Sequence, residues 1–300
     1  MNYLSKHKGS LCALSSGLLY GLVGYFGMSI IATGCSIYNM LFWRFLTASL
    51  IMLVVLLVAQ KNQKIDLGGA GKSFLYGGAF YSVSTVIYFF ASKYIGTGLA
   101  MVIFFTYPAL VMVINWLLYK KRPAKAYFAA VAVIMAGLVL LADYNALAVN
   151  ALGIVLGVVS AAAYAAYIVF SKKIALSPGV STLMVSAGCA TTCFVLALVD
   201  GSLVVPATGE LWINIVAISV ICTVVPILFL LEALKTISSE KASILSVLEP
   251  VFVVLAGIVL LGEQVSWIQI FGVVIVLGGA LLSLHIFTVS VLLASTPKAN

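Results

Sequence analysis

The sequence contains very few charged residues. Among its 300 residues, Lys and Arg number 16, Asp and Glu number 8 and His numbers 2, whereas 64% of the chain is hydrophobic. A soluble globular chain is about 45–50% apolar and about 25% charged. A soluble fold of this composition would expose large apolar patches to water. The scarcity of charge therefore excludes soluble globular, disordered and coiled-coil proteins, and it predicts a chain embedded in lipid.

Clusters of metal-binding or catalytic side chains are also lacking. The two histidines, His7 and His285, lie at opposite ends of the chain, and the cysteines show neither metal-ligand nor disulfide-framework spacing. We interpret the cysteines as small apolar packing residues. The sequence thus predicts no catalytic residues, no metal site and no cofactor. The five cysteines are Cys12, Cys35, Cys189, Cys193 and Cys222.

The apolar residues fall into ten segments that are long enough to cross a bilayer, for which a helix needs about 20 residues. The breaks between them carry turn or charge signals, such as those at Lys120–Pro123 and Ser177–Gly179. The sequence therefore predicts an all-α polytopic membrane protein with ten transmembrane helices. The predicted spans are 10–32, 38–60, 73–92, 97–119, 125–142, 151–171, 179–199, 211–234, 241–261 and 266–287.

The basic residues are distributed unevenly between the two sides of this predicted bundle. With a cytoplasmic N-terminus, nearly all loop Lys and Arg residues fall on the cytoplasmic side, including Lys120–Arg122 and Lys172–Lys173, and only Lys93 falls on the other. Cytoplasmic loops of membrane proteins carry an excess of Lys and Arg. We therefore expect a bacterial inner-membrane protein with both termini in the cytoplasm. The formal net charge of +8 then needs no nucleic-acid partner.

The two halves of the chain resemble each other. An offset of about 142 residues places Pro108 on Pro250, and an offset of about 144 places Tyr20 on Tyr164. Each half would contain five helices, an odd number, so the second half would enter the membrane in the opposite orientation. Inverted repeats of this kind are typical of secondary transporters. The predicted units are two five-helix repeats and a cytoplasmic tail, at 8–142, 150–287 and 288–300.

Four short motifs link this pattern to a known family. They are Trp43-Arg44-Phe45, Thr106-Tyr107-Pro108, Leu248-Glu249-Pro250 and Leu261-Gly262-Glu263. In this order and spacing, they resemble the drug/metabolite transporter (DMT) superfamily, specifically its EamA-type bacterial exporters, over essentially residues 8–287. The family often has tryptophan in helices 1 and 6, where this sequence has Tyr20 and Tyr164. The resemblance implies small-molecule transport by two EamA-like repeats, and this departure leaves the substrate open.

One acidic residue lies deep inside a predicted helix. Glu249 is about eight residues into helix 9, which at about 1.5 Å per residue is on the order of 12 Å from its end. An ionisable side chain at that depth is costly and marks a functional site by default. Glu249 is therefore a candidate proton or substrate site. The alternative is a structural role beside the kink expected at Pro250.

Polar and aromatic side chains recur at helical spacing on several predicted helices. Ser243 and Ser246 share a face with Glu249, and Asn115 adds an amide to helix 4. Such groups need a hydrogen-bond partner in lipid, either on another helix or in a water-filled cavity. Their presence on several helices favours a cavity. Its candidate aromatic walls are Tyr20, Tyr81, Tyr88, Tyr107 and Tyr164.

Three prolines and one arginine also lie within predicted helices. Proline lacks an N–H, so the carbonyl four residues earlier loses its helical donor, which lipid tolerates where that carbonyl lines a cavity or bonds a neighbouring helix. Pro108, Pro226 and Pro250 therefore predict kinks that mark the cavity. Arg44, in helix 2, either snorkels outward, pairs with a carboxylate or meets an anionic substrate group.

Together, these features predict a secondary, alternating-access transporter of a small organic metabolite, such as an amino acid or derivative, with Glu249 as the candidate site of proton coupling. The alternatives are a metabolite channel and a non-transporting membrane scaffold. An intramembrane enzyme is the least favoured, because no catalytic constellation accompanies Glu249. The expected partners are the lipid bilayer and a small-molecule substrate.

Small residues at helix-contact spacing predict close packing. Gly17 and Gly21 are four residues apart in helix 1, and Gly272, Gly278 and Gly279 lie in helix 10. Such residues let helix backbones approach each other in membranes. Helix 10 is therefore a candidate face for a homodimer.

Overall fold

The computed structural model describes residues 3–59, 66–120, 125–141, 150–246, 249–252 and 266–295. Within these ranges every regular element is helical, so the prediction of an all-helical chain is confirmed for the described residues. The α-helices in chain order are α1 Tyr3–Tyr20, α2 Val23–Ala32, α3 Ile37–Val58, α4 Leu67–Tyr76, α5 Ser82–Phe104, α6 Tyr107–Tyr119, α7 Lys125–Leu141, α8 Ala151–Ser171, α9 Pro178–Val199, α10 Gly209–Ser219, α11 Val225–Thr236, α12 Ser239–Ser246 and α13 Trp267–Ser295.

Several of these helices are suited to a bilayer. The described residues contain seven helical stretches that are long and apolar enough to span a bilayer. They also contain two shorter apolar helices, Tyr127–Leu141 and Trp267–Gly279. The chain is thus a multi-pass membrane protein. About half of the predicted ninth span, 241–261, lies outside the described residues, and the count of ten stays a prediction. The seven stretches are Lys8–Ala32, Ile37–Val58, Leu67–Thr97, Leu99–Tyr119, Ala151–Ser171, Pro178–Val199 and Gly209–Thr236.

Some predicted helix boundaries differ from the structure. The first span is divided between α1 and α2 at Gly21–Leu22. The third begins at Leu67 rather than at 73, because the Asp66 carboxylate accepts hydrogen bonds from the next two glycine N–H groups at 3.0 Å and so caps the helix. The third and fourth spans meet at Gly96, whose φ of 76° is accessible to glycine at little cost. The chain therefore turns there without a loop.

Two helices contain a wider π-helical turn. The first π-segment, Gly77–Tyr81, joins α4 to α5, and the second π-segment, Val220–Val224, joins α10 to α11. Their starts are 143 residues apart, close to the offset at which the two halves of the sequence match. A π-turn closes hydrogen bonds over one residue more than an α-turn, and such turns often occur at functional sites.

The helices of the two halves pack in matching pairs. Helix α1 of the first half packs against α11 of the second half. Helix α8 of the second half packs against α5 of the first half in the same way. Likewise, α3 packs along α9 and α7 along α13, while α6 contacts α8 and α1 contacts α12. Exchanging the two halves converts the α1–α11 pair into the α8–α5 pair and the α6–α8 pair into the α12–α1 pair, and it leaves the α3–α9 and α7–α13 pairs unchanged. The cores of both halves therefore meet along one interface.

Close backbone contact brings α9 against the first π-segment. Gly188 lies against the backbone of Gly78, and Thr192 Oγ1 donates a hydrogen bond to Gly78 O at 3.1 Å. Cys189 Sγ donates to Gly77 O at 3.2 Å. Neutral side chains on α9 thus satisfy carbonyl groups of this π-turn, which lipid could not do.

We expect Gly188→Ala to destabilise the protein. An added Cβ would overlap the Phe74 carbonyl oxygen and lie 2.9 Å from Gly78 N, and overpacking of this kind costs about 1–3 kcal/mol. Gly71→Ala is the matched control, because nothing lies within 4 Å of a Cβ there and the change favours a helix by about 0.5–1 kcal/mol. Apparent melting temperatures in detergent test this expectation. Equal melting temperatures for the two variants would contradict the close contact.

Candidate functional site

A cavity of about 80 Å³ lies between helices that come from both halves of the chain. A water molecule needs about 10–15 Å³ of such space, so the cavity has room for several waters or a small organic group. Half of its lining residues are aromatic, and the lining carries one guanidinium and one carboxyl group. The lining residues are Tyr20, Gly21, Val23, Arg44, Tyr81, Ser84, Thr85, Tyr88, Phe89, Met101, Phe104, Phe105, Tyr164 and Glu249.

Six of the residues that the sequence proposes for a substrate cavity line this one space. They come from α1, α3, the first π-segment, α5, α8 and the short segment 249–252, so residues far apart in the chain converge. The helix pairs formed between the two halves produce this convergence. The six residues are Tyr20, Arg44, Tyr81, Tyr88, Tyr164 and Glu249.

Glu249 carries the one carboxyl group among the described lining residues, and it is half-buried. Pro250 follows it directly and lacks an N–H, so the carbonyl of Ser246 has no α-helical donor. Helix α1 approaches this carbonyl closely, since a Cβ on Gly17 would lie 2.8 Å from Ser246 O. The glycine therefore lets α1 pack against the helix that precedes Glu249.

Arg44 joins α3 to the second π-segment and is 1% exposed. Its Nε donates to Thr223 Oγ1 at 2.7 Å, and its Nη2 donates to Cys222 O at 2.9 Å. Cys222 lies four residues before Pro226, so its carbonyl has no α-helical donor. The guanidinium group also lies 5.1 Å from the centroid of the Phe45 ring. Arg44 thus supplies the donor that Pro226 removes, and it does so at the wall of the cavity.

The tyrosines form one continuous layer. Tyr81 donates its hydroxyl hydrogen to Tyr20 Oη at 3.2 Å, and its ring centroid lies 5.9 Å from that of Tyr164. The Tyr164 ring packs edge-on against Tyr107 at 4.9 Å. Tyr107 is outside the lining, and its hydroxyl group donates to Ser243 O at 3.1 Å. Tyr107 therefore supports the wall from behind and ties it to α12.

Three predicted polar residues do not reach the cavity. Ser243 and Ser246 donate to carbonyl groups of their own helix at 2.8 and 3.0 Å. Asn115 Nδ2 donates to Glu240 Oε1 at 2.6 Å and to Ser239 Oγ at 3.0 Å. Asn115 therefore fastens α6 to the start of α12, and all three side chains are satisfied by protein groups.

The phenylalanines and aliphatic residues of the wall were not predicted from the sequence, and Gly21 was predicted only as a helix-packing residue. Phe104 and Phe105 lie where the fourth predicted span is interrupted, just before α6, which begins at Tyr107 and has Pro108 in its first turn. Gly21 lies at the break between α1 and α2. The kink signal of Pro108 could have identified this region, since interrupted helical backbone at membrane depth is tolerated where it lines a cavity. The remaining apolar lining residues are Val23, Phe89 and Met101.

Comparison with known proteins gives the site a context. The profile of the EamA-like transporter family matches residues 7–142 and 151–285. The chain is also 25% identical over 202 residues to the uncharacterized transporter YcbK of Bacillus subtilis (strain 168), a match that covers 64% of this chain and 65%, slightly under two thirds, of that protein. A crystal structure with 17% sequence identity superposes with a TM-score of 0.79 over 93% of this chain and 98% of that chain. That likeness concerns the fold alone.

Proposed function

The chain belongs to the EamA-like transporter family, and on this premise we propose that it is an alternating-access secondary transporter of a small organic metabolite, such as an amino acid or derivative. The substrate occupies the cavity, and Glu249 couples its movement to protons. The observation that carries the proposal is the placement of one guanidinium and one carboxyl group in a single tyrosine-lined cavity between the halves. Secondary transporters bind their substrates at such repeat interfaces.

The helix pairing supports two inverted five-helix repeats. Exchanging the halves converts the α1–α11 contact into the contact between α8 and α5, while the α3–α9 and α7–α13 pairs each map onto themselves. The first and second π-segments also occupy matching places. Such a relation allows one half to rock against the other around a fixed site, which is the basis of alternating access. The charge distribution supports cytoplasmic termini in a bacterial inner membrane.

Glu249 couples proton movement to substrate movement because its carboxylate binds either a proton or a cationic group of the substrate, but not both at once. A carboxylate in a membrane cavity is stabilised either by a proton or by a cationic group of the substrate. An ammonium group that binds Glu249 therefore displaces the proton, and substrate release allows a proton to return. Repeated on opposite sides of the membrane, this exchange moves substrate and proton in opposite directions.

Counterflow in proteoliposomes tests whether the protein is a carrier. Unlabelled amino acids inside the vesicles accelerate the uptake of a radiolabelled amino-acid mixture through a carrier, whereas a channel gives no acceleration and a scaffold gives no uptake. We expect acceleration with the wild type. Uptake without acceleration, or no uptake, would contradict the proposal.

A tryptophan placed in the cavity gives this test a matched pair of variants. Thr85 lines the cavity and donates its hydroxyl hydrogen to the carbonyl of Tyr81, four residues earlier, at 2.9 Å. Thr191 makes the same type of bond to Ala187 O at 2.9 Å but is exposed on the surface of the bundle. We expect Thr85→Trp to abolish counterflow, because the indole fills the cavity, and Thr191→Trp to retain it. Equal counterflow in both variants would place the substrate elsewhere.

A further inference from the structure

The Arg44 guanidinium group is a buried cation with an unused donor. Arg44 is 1% exposed, and its Nη1 has no hydrogen-bond partner among the described residues. Its other two nitrogens donate to neutral acceptors, Thr223 Oγ1 and Cys222 O. In the described part of the chain no ion pair within 4.0 Å joins Arg44 to a carboxylate, although Glu249 lines the same cavity. Buried charges are normally paired, so Arg44 is a buried positive charge that makes no direct ion pair within the described residues.

The matching half of the chain indicates that the contact with a π-turn does not need a cation. Helix α9 begins and ends 141 residues after α3, and the residue 141 positions after Arg44 is Val185, whose side chain has no donor. In that half, the neutral side chains of Cys189 and Thr192 donate to the carbonyl groups of the first π-segment. A thiol and a hydroxyl group therefore suffice to hold such a turn. The charge of Arg44 exceeds what this packing requires, and its Nη1 is left without a partner among the described residues.

The rest of the cavity indicates what else the ligand carries. Glu249 provides a carboxyl group to the same space, and Phe89, Phe104 and Phe105 provide apolar ring surface. A guanidinium group binds a carboxylate by charge-assisted hydrogen bonds. Apolar walls with a few polar groups fix the orientation of a small ligand and select its side chain.

We infer that Arg44 Nη1 binds the carboxylate of the substrate while Glu249 binds its ammonium group, so that the cavity selects α-amino acids with an uncharged, apolar side chain. This assignment deepens the proposed function and rests on it for the transport step. The hydrogen bonds to Thr223 and Cys222 fix Nε and Nη2, and they leave Nη1 as the guanidinium nitrogen without a partner among the described residues.

Ligand-induced thermal stabilisation of the purified full-length protein tests this assignment. The probes are leucine, methionine and phenylalanine, each compared with the amine that lacks its carboxylate and with the acid that lacks its amino group. We expect at least one of these amino acids to raise the apparent melting temperature of the wild type at concentrations about tenfold or more below those needed with its amine. Arg44→Gln should remove this advantage, and Arg44→Lys should restore part of it, because lysine keeps the charge without the planar donor geometry.

Two results would overturn the assignment. One is an amine that stabilises the wild type as well as the amino acid does, and this comparison holds even if Arg44→Gln does not fold. The other is an Arg44→Gln variant whose affinities for the amine and for the amino acid fall by the same factor. That result would indicate that Arg44 has a structural role alone. Counterflow separates this inference from the proposed function. If the protein prefers ligands with a carboxylate but shows no counterflow, the assignment of Arg44 stands and the transport proposal is wrong. If it shows counterflow but no such preference, the transport proposal stands and the assignment of Arg44 is wrong.

Discussion

Replacing Glu249 with glutamine is expected to remove the pH dependence of transport. In the wild type, protons and the substrate ammonium group compete for the Glu249 carboxylate, so substrate binding should weaken as the pH falls. Glutamine has nearly the same shape but cannot exchange a proton, so transport by the variant should be independent of pH and of a pH gradient. Loss of the charged acceptor should also weaken binding by about tenfold to a hundredfold, since a hydrogen bond to a charged group contributes about 1.5–3 kcal/mol.

Initial rates of amino-acid uptake into proteoliposomes, measured with and without an imposed pH gradient, test this prediction. Glu210→Gln is the matched control, because Glu210 is an exposed acid in the first turn of α10 and lies outside the cavity lining. This control should keep the pH response of the wild type. A pH gradient that still accelerates uptake by the Glu249→Gln variant would rule out Glu249 as the coupling site.

The sequence predicts much of this site because lipid makes polar side chains expensive. Glu249 and Arg44 could be selected from composition and depth alone, since charges inside a membrane span must find a partner or a cavity. Tyr20 and Tyr164 could be paired through the internal repeat. The structure brings all four to one cavity.

Helical periodicity could not predict which polar side chains reach the cavity. Ser243 and Ser246 share a face with Glu249, yet their hydroxyl groups bond the carbonyl groups of their own helix. Asn115 is equally polar but bonds the start of α12. Periodicity gives the side of a helix, whereas the choice between bonding a neighbour and facing water depends on tertiary contacts. Such contacts join residues more than a hundred positions apart.

The π-segments were also beyond the reach of the sequence analysis. Pro226 predicts that the Cys222 carbonyl loses its α-helical donor. No local pattern, however, indicates that Arg44, 178 residues earlier in the chain, donates to that carbonyl. The prediction of a kink was therefore possible, while the identity of its partner depended on the packing of α3 against α10 and the second π-segment.

Deleting Ile221 is expected to reduce transport about a hundredfold or more while the protein stays folded. The second π-segment closes over one residue more than an α-turn, so the deletion allows α10 and α11 to continue as one regular helix with both flanking faces kept. The local change rotates Cys222 and Thr223 away from Arg44. Arg44 would then lose two hydrogen bonds at once, each of which contributes about 1.5–3 kcal/mol.

Ile221→Ala is the matched control for this deletion, because it shortens the side chain and leaves the number of residues in the turn unchanged. Counterflow and the apparent melting temperature should be measured together for both variants. Counterflow at the wild-type level after the deletion would mean that Arg44 does not depend on the π-turn. Lost counterflow in a deletion variant that still unfolds cooperatively, although at a lowered melting temperature, would instead tie this turn to the site, since the carbonyl group freed by Pro226 holds Nη2 of Arg44 and thereby leaves Nη1 for the substrate.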